Sequence, residues 1–114
     1  MPKSIREIVK EIQSEILKVE DLTPDRASEL LVQLSSIYGN ILDEIRRTEA
    51  IYLNVLRLAY ENEAKANRAK IIAMNDPSYG FWQEAKNTKE LTLEMIRGLK
   101  YYIKGREEEW KISN

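Results

Sequence analysis

The sequence predicts an all-α protein of elongated antiparallel helical hairpins with coiled-coil packing, in which a short first helix precedes two long ones. Two observations support this class. Apolar residues recur at alternating spacings of three and four through most of the 114 residues, which is the period of an amphipathic helix. The three prolines stand at positions 2, 24 and 77, so two long stretches contain no helix breaker.

The first helix is predicted over residues 4–19. Ser4 followed by Glu7 forms a capping box, in which each side chain satisfies a backbone N–H group that the first turn leaves unpaired. The apolar positions form one stripe, and a reversal at residues 20–23 places it against the start of the second helix. The stripe consists of Ile5, Ile8, Val9, Ile12, Ile16 and Val19.

Residues 24–75 are predicted to form one long second helix. Thr23 suits the N-cap and Pro24 suits the first helical position, where its missing N–H group costs nothing. The helix would be about 75 Å long at 1.5 Å per residue. Gly39 is its weakest point, because an interior glycine costs about 1 kcal/mol relative to alanine. We expect continuity there, with room for a kink.

The third helix is predicted over residues 77–111, since Asp76 and Pro77 repeat the signal of a cap followed by proline. A reversal just before it lets the apolar seams of the two long helices meet antiparallel, with Tyr52 opposite Tyr102. The seam positions are Ile45, Thr48, Tyr52, Val55, Ala59, Asn62, Ala66, Ala69 and Ala73 on one helix, and Phe81, Ala85, Thr88, Thr92, Met95, Leu99, Tyr102, Arg106 and Glu109 on the other.

A single domain over residues 1–114 is expected from the length. Many large apolar residues lie off the two seams, and a pair of helices buries too little surface to cover them. We therefore expect a homo-oligomer. The off-seam residues are Leu30, Ile37, Ile51, Leu56, Leu58, Ile71, Ile72, Leu91, Leu93, Ile96 and Ile103.

The composition excludes most enzyme chemistry. The chain has no Cys and no His, which excludes thiol nucleophiles, imidazole acid–base catalysis and zinc sites with those ligands. No glycine-rich phosphate loop or acidic pair assembles a site. We therefore predict a protein that is not an enzyme, with no catalytic residues, no metal site and no cofactor. No apolar run approaches the ~20 residues of a membrane span, so no membrane partner is expected.

Eighteen basic and nineteen acidic residues leave a formal charge of −1, so a nucleic-acid site would have to be a local patch. Basic residues of the third helix share a stripe about 80° wide, opposite the seam. Lys65, Arg68 and Lys70 approach the expected hairpin tip from the second helix, beside Tyr79 and Trp82. The stripe consists of Lys86, Lys89, Arg97, Lys100, Lys104 and Lys111.

Cations beside aromatic rings suit single-stranded DNA, because phosphates bind the charges and bases stack on the rings at about 1–3 kcal/mol each. The alternative is a solvated face diluted by Glu90, Glu107 and Glu108, with Trp82 in a contact between subunits. The predicted nucleic-acid-binding residues are Lys65, Arg68, Lys70, Lys86, Lys89, Arg97 and Lys100, with Tyr79 and Trp82 for stacking.

Residues 60–70 read YENEAKANRAK, and the last helix contains IRGLK at 96–100 and ends in WKIS at 110–113. This layout resembles small helical proteins of tailed bacteriophages, among them the UvsY-type recombination mediators. The resemblance covers about residues 35–113. It implies a helical oligomer in the host cell cytoplasm that binds single-stranded DNA and helps to load a recombinase in place of a single-strand-binding protein. Lys65 and Arg68 match the position of the family's DNA-binding basic residues.

Two hypotheses of different classes follow. The first is a phage recombination or replication accessory protein, an oligomeric mediator that binds single-stranded DNA and has a recombinase or a single-strand-binding protein as a further partner. The second is a non-enzymatic coiled-coil structural or adaptor protein, whose apolar faces bind another protein or build a particle. In the second, charge reversal at Lys86 and Arg97 is harmless, whereas a charge at Leu93 or Ile96 disrupts assembly.

Overall fold

A computed structural model of the chain describes residues 2–113, apart from the side chains of Val19, Trp110 and Ser113. The predicted roles of Val19 in the first stripe and of Trp110 in the C-terminal pattern therefore lie outside the described residues. Four α-helices contain most of the described chain. They are α1 (Ile5–Ile16), α2 (Pro24–Asn62), α3 (Ala66–Met74) and α4 (Pro77–Ser113), with a 3-10 turn at Val19–Asp21.

The predicted all-α class is confirmed, since residues 2–113 contain no β-strand. The predicted helix starts are confirmed as well. The Ser4 hydroxyl accepts a hydrogen bond from the Glu7 N–H at 3.2 Å, and the Thr23 hydroxyl accepts one from the Arg26 N–H at 3.1 Å. Each bond satisfies a donor that the first helical turn cannot pair internally. Within the described residues, no helix is both long and apolar enough to cross a membrane.

The described chain groups into two compact units, the first made of residues 2–39 and 88–113 and the second of residues 40–87. Both α2 and α4 contribute residues to each unit. The first unit buries apolar side chains of α1, of the start of α2 and of the later part of α4. Its buried apolar residues are Val9, Ile12, Leu22, Ala27, Leu30, Leu34, Met95 and Leu99.

Side-chain contacts define how the helices of the first unit lie. Arg26 donates to both oxygens of the Glu15 carboxylate, at 2.5 and 2.8 Å, which joins the end of α1 to the first turn of α2 as the predicted first hairpin requires. Arg6 donates to the Thr88 hydroxyl at 3.3 Å, and the Tyr102 hydroxyl donates to the Leu22 carbonyl at 2.6 Å. Along the N-terminal segment the order is Arg6 and then Leu22, and their partners follow in the same order along α4, as Thr88 and then Tyr102. The two segments therefore run in the same direction, and α4 is parallel to α1.

The prediction of one helix over residues 24–75 is wrong. The helix continues through Gly39 but ends at Asn62, and residues 63–65 are not helical. No proline or glycine stands at this break, so helix propensity alone does not cause it. Asn62 is the one local signal, because asparagine competes with the backbone for hydrogen bonds near helix ends. Its amide donates to the Leu58 carbonyl at 2.9 Å.

In the second unit, the break after Asn62 allows the chain to reverse direction. Tyr52 of α2 contacts Tyr79 and Trp82 at the start of α4, with ring centroids 5.1 and 5.3 Å apart. The ten residues of α2 beyond Tyr52 extend about 15 Å, and the nine residues of α3 span about 13.5 Å. We infer that α3 returns along α2, since α4 begins beside Tyr52. The chain therefore reverses at residues 63–65, and Ala69 and Ala73 of α3 become fully buried.

The predicted register of the long helices is wrong for the same reason. Tyr52 lies against Trp82, which stands twenty residues before Tyr102 and thus about 30 Å away along α4. Five predicted seam positions are exposed rather than packed, and Phe81 among them is 60% exposed. They are Asn62, Ala66, Phe81, Arg106 and Glu109. The seam pattern predicts one reversal at residues 75–78, where the structure has only a two-residue break between α3 and α4.

Replacing Gly39 with Ala is expected to raise the free energy of unfolding by about 0.5–1 kcal/mol. Gly39 is inside α2, and an added Cβ would meet no atom within 4 Å beyond its chain neighbours and the adjacent helix backbone. Urea denaturation followed by circular dichroism measures the change, with Ser36→Ala as a control on the same exposed part of α2. A destabilised Gly39→Ala variant would show that the helix needs the freedom of glycine at this point.

Candidate nucleic-acid interface

The break between α2 and α3 carries a local positive charge. Residues 64–75 contain Lys65, Arg68 and Lys70 and no acidic residue. All three side chains are exposed, and Lys65 stands at the N-cap of α3 in an extended backbone conformation. Arg68 is the one that has an acidic neighbour, with its Nε 3.4 Å from a Glu63 carboxylate oxygen. This segment brings together the three basic residues that the sequence placed near the hairpin tip.

The start of α3 adds to this charge. The N-termini of α1 and α2 are capped by the hydroxyls of Ser4 and Thr23, whereas no side chain caps α3. The first N–H groups of a helix point outward, and the helix dipole makes that end partly positive. The charges of Lys65 and Arg68 and the uncapped end of α3 therefore act in the same direction, which favours negatively charged groups here.

The aromatic residues are not at the break but beside Tyr52, ten residues before the end of α2. Trp82 stacks on Tyr52 with an interplanar angle of 20°, and Tyr79 meets the Trp82 ring edge-on with centroids 6.2 Å apart. Burial raises the pKa of the Tyr52 hydroxyl, and its neighbour Tyr79 adds to the effect. Three rings thus form one cluster, in which Tyr79 and Trp82 stabilise the second unit.

Both faces of the Trp82 ring are occupied. Tyr52 covers one face, and the Lys86 ammonium lies 3.8 Å from the ring centroid. An ammonium at that distance would overlap a ring stacked on the same side, so we infer that Lys86 covers the opposite face. The Trp82 Nε1 atom is buried and has no hydrogen-bond partner in the described part of the chain, which places that edge of the indole inside the protein.

The remaining predicted residues belong to the first unit. Lys89 is half-buried, whereas Arg97 and Lys100 are exposed, and all three lie on the uninterrupted helix α4. At 100° per residue they fall within a stripe about 80° wide, as the sequence predicted for this part of the helix. Phe81 is an exposed ring that sequence reasoning had assigned to the seam, and its place in the three-four spacing gave no signal of exposure.

Among the described residues, arginines form most of the ion pairs and most lysines form none. In the described part of the chain, the ammonium groups of Lys65, Lys70, Lys86, Lys89 and Lys100 and the guanidinium of Arg97 form no ion pair. Outside the predicted set, Lys10, Lys18 and Lys104 of the described chain also form no ion pair, whereas Lys3 pairs with Glu11. Arginines outside the predicted set are paired instead. These pairs are Arg26 with Glu15 and Glu29, Arg46 with Asp43, Arg47 with Glu44, Arg57 with Glu61, and Arg106 with Glu109.

The second unit also exposes many large apolar side chains. A shallow groove on α2 is lined by Leu53, Leu56, Arg57, Tyr60 and Glu61. Across the described residues, no group of three or more acidic residues is placed to hold a metal ion. The exposed apolar residues of this unit are Ile51, Leu53, Leu58, Tyr60, Ile71, Ile72, Met74 and Phe81.

No protein-family model matches the chain, and neither does any curated protein or solved structure.

Asp76 positions the start of α4, where Tyr79 and Trp82 stand. Its carboxylate accepts a hydrogen bond from the Ser78 N–H at 2.9 Å, which caps the helix as the sequence predicted. This bond from the backbone lowers the pKa of the Asp76 carboxyl below its usual range. Because the folded-state pKa is lowered, the stabilising contribution is complete above the unfolded value of about 3.9 and disappears as the pH falls through the folded value.

Replacing Asp76 with Ala is expected to lower the urea midpoint at pH 7, and the difference from the unchanged protein should shrink as the pH falls towards 2. Urea titrations at several pH values measure this. The matched control is Asp76→Asn, whose side-chain oxygen still accepts the bond but carries no charge, so its effect should vary less between pH 5 and pH 2. A difference for Asp76→Ala that stays constant over this range would contradict the role of the ionised carboxylate.

Proposed function

We propose that this chain is a non-enzymatic helical protein that binds single-stranded DNA through its unpaired basic side chains, in phage recombination or replication. The observation that supports it is the contrast in ion pairing. Lys65, Lys70 and Lys86 of the second unit remain without carboxylate partners, while Arg47 and Arg57 of the same unit are paired. An unpaired ammonium can bind a phosphate without first losing a salt bridge.

The proposal assigns different roles to the charges and the rings. Phosphate contacts would come first from residues 65–70 and the uncapped start of α3, and further ones from Lys89, Arg97 and Lys100. Such contacts carry affinity without reading sequence. The resemblance to UvsY-type mediators supports the same function and suggests a recombinase or a single-strand-binding protein as a further partner.

Replacing both Lys65 and Lys70 with Ala is expected to weaken binding and to reduce the salt dependence. Each lost phosphate contact lowers the slope of log affinity against log salt by about 0.7 for a single strand, so the double variant should lose about 1.4. Fluorescence anisotropy with a labelled single-stranded oligonucleotide between 50 and 300 mM salt measures both quantities.

The control for this experiment is the double variant Arg47→Ala and Arg57→Ala, which removes the same charge from the same unit. In the unchanged protein, Glu44 and Glu61 already pair with these two guanidinium groups. The slope of log affinity against log salt should therefore be the same in this variant as in the unchanged protein. Absence of binding at micromolar protein, or binding that does not depend on salt, would contradict the proposed function.

A second candidate function, protein binding and assembly, is favoured by the exposed apolar residues of the second unit. Ile71 is 61% exposed and Phe81 is 60% exposed, and six other large apolar side chains of this unit are exposed as well. Eight such side chains together offer apolar area on the order of the 800 Å² that each partner buries in a standard interface. We propose that this surface joins copies of the chain, which fits both a mediator and an adaptor protein.

Replacing both Ile71 and Phe81 with Ser is expected to shift self-association towards the monomer by at least about tenfold in Kd, because burial of each side chain contributes about 1.5–3 kcal/mol. Sedimentation equilibrium measures the shift. Val32→Ser is the control, since Val32 is 68% exposed but belongs to the first unit. A monomer at all concentrations, or an unchanged Kd in the double variant, would contradict assembly through this surface.

A further inference from the structure

The Trp82 ring combines three properties in one place. Tyr52 supports one face at 5.3 Å, the Nε1 edge is buried, and the ammonium of Lys86, four residues further along α4, lies over the other face at 3.8 Å from the ring centroid. A ring held on one face and along one edge keeps its orientation when the cover leaves. The cover itself is a charged group on a flexible four-carbon stem, which makes no ion pair in the described part of the chain.

We propose that the face of Trp82 beneath Lys86 is a stacking site for one nucleobase of single-stranded DNA, and that Lys86 is a displaceable cover. This inference rests on the proposed function. In the free protein the cation lies over the electron-rich ring. When a strand binds, a base replaces the ammonium over the ring, and Lys86 moves to the phosphate of the same nucleotide.

Physical chemistry favours this exchange. Stacking is tolerant of base identity, because every base has a π face, and a rigid aromatic support loses little entropy when a base binds. The ammonium exchanges a cation–π contact for a charge-assisted contact with phosphate, so it is not left without a partner. Phosphate contacts at Lys65 and Lys70 need no such rearrangement. The affinity for single-stranded DNA therefore has two contributions. Phosphate contacts contribute through charge, and stacking on Trp82 contributes only where a base is present.

The test uses the full chain with Trp110→Phe, so that Trp82 is the single remaining tryptophan. Two labelled probes are compared, an oligothymidylate and an abasic strand of the same length with the same phosphates. The oligothymidylate is expected to bind about 5- to 150-fold more tightly, which is the range for one base stacked on one aromatic ring. It should also change the Trp82 fluorescence, whereas the abasic strand should leave that fluorescence nearly unchanged.

Lys86→Ala in the same background tests the cover. Without DNA, acrylamide should quench Trp82 more strongly in this variant, because the outer face is open. With DNA, the salt slope should fall by about 0.7, because one phosphate contact is lost. Lys104→Ala is the control for charge, since it removes a lysine from the same helix but in the other unit. Its acrylamide quenching should match that of the parent.

The outcomes separate the two proposals. If neither probe binds, the proposed function fails, and the stacking site fails with it. If both probes bind equally and leave Trp82 fluorescence unchanged, single-stranded DNA binding stands and the stacking site alone is overturned. Unchanged acrylamide quenching in Lys86→Ala would overturn the displaceable cover. These readouts come from variants that leave Tyr52, Tyr79 and Trp82 in place, so loss of the aromatic cluster cannot imitate them.

Discussion

The stack of Trp82 on Tyr52 is the contact on which the second unit depends. It defines which residues of α2 and α4 are neighbours, and this register determines how far α3 must return along α2. Because α2 extends ten residues beyond Tyr52, the chain must return by about 15 Å before α4 can begin. The nine residues of α3 provide this return, and their two buried alanines let the helix approach closely.

The basic residues of the second unit differ in the groups that they contact. Carboxylates three or four residues away pair with Arg47 and Arg57, as is usual on exposed helix faces, and such pairs contribute little to stability. Within the described chain, Lys86 forms no ion pair, although Glu90 stands four residues further on, and its ammonium lies over Trp82 instead. The basic residues of the second unit thus fall into a group with ion pairs and a group without them, and the proposed DNA contacts of this unit other than Arg68 belong to the second group.

Part of the site was predictable from local patterns. Lys65, Arg68 and Lys70 follow one another closely, so any helix break nearby would present them together, and the acid-free stretch around them is visible in the sequence. The cap at Asp76 and the basic stripe on α4 also follow from short-range rules. The neighbours of Trp82 did not follow, because three-four spacing allows α2 and α4 to pair in several registers. The small side chains of the alanines at positions 59, 66, 69 and 73 allow similar helix packing in each of those registers.

The all-α class, the starts of α1, α2 and α4, and the lack of thiol and imidazole chemistry were determined by the sequence alone. These properties depend on composition, on the helical period and on hydrogen bonds that span two or three residues. Tertiary structure alone decided that the chain reverses at residues 63–65, that Phe81 is exposed and that Tyr52 supports Trp82. The reason is that a register is selected by the area that whole segments bury together. In this chain, packing α3 back along α2 buries Ala69 and Ala73 and accompanies the contact between Tyr52 and Trp82, although the residues at the break have good helix propensity.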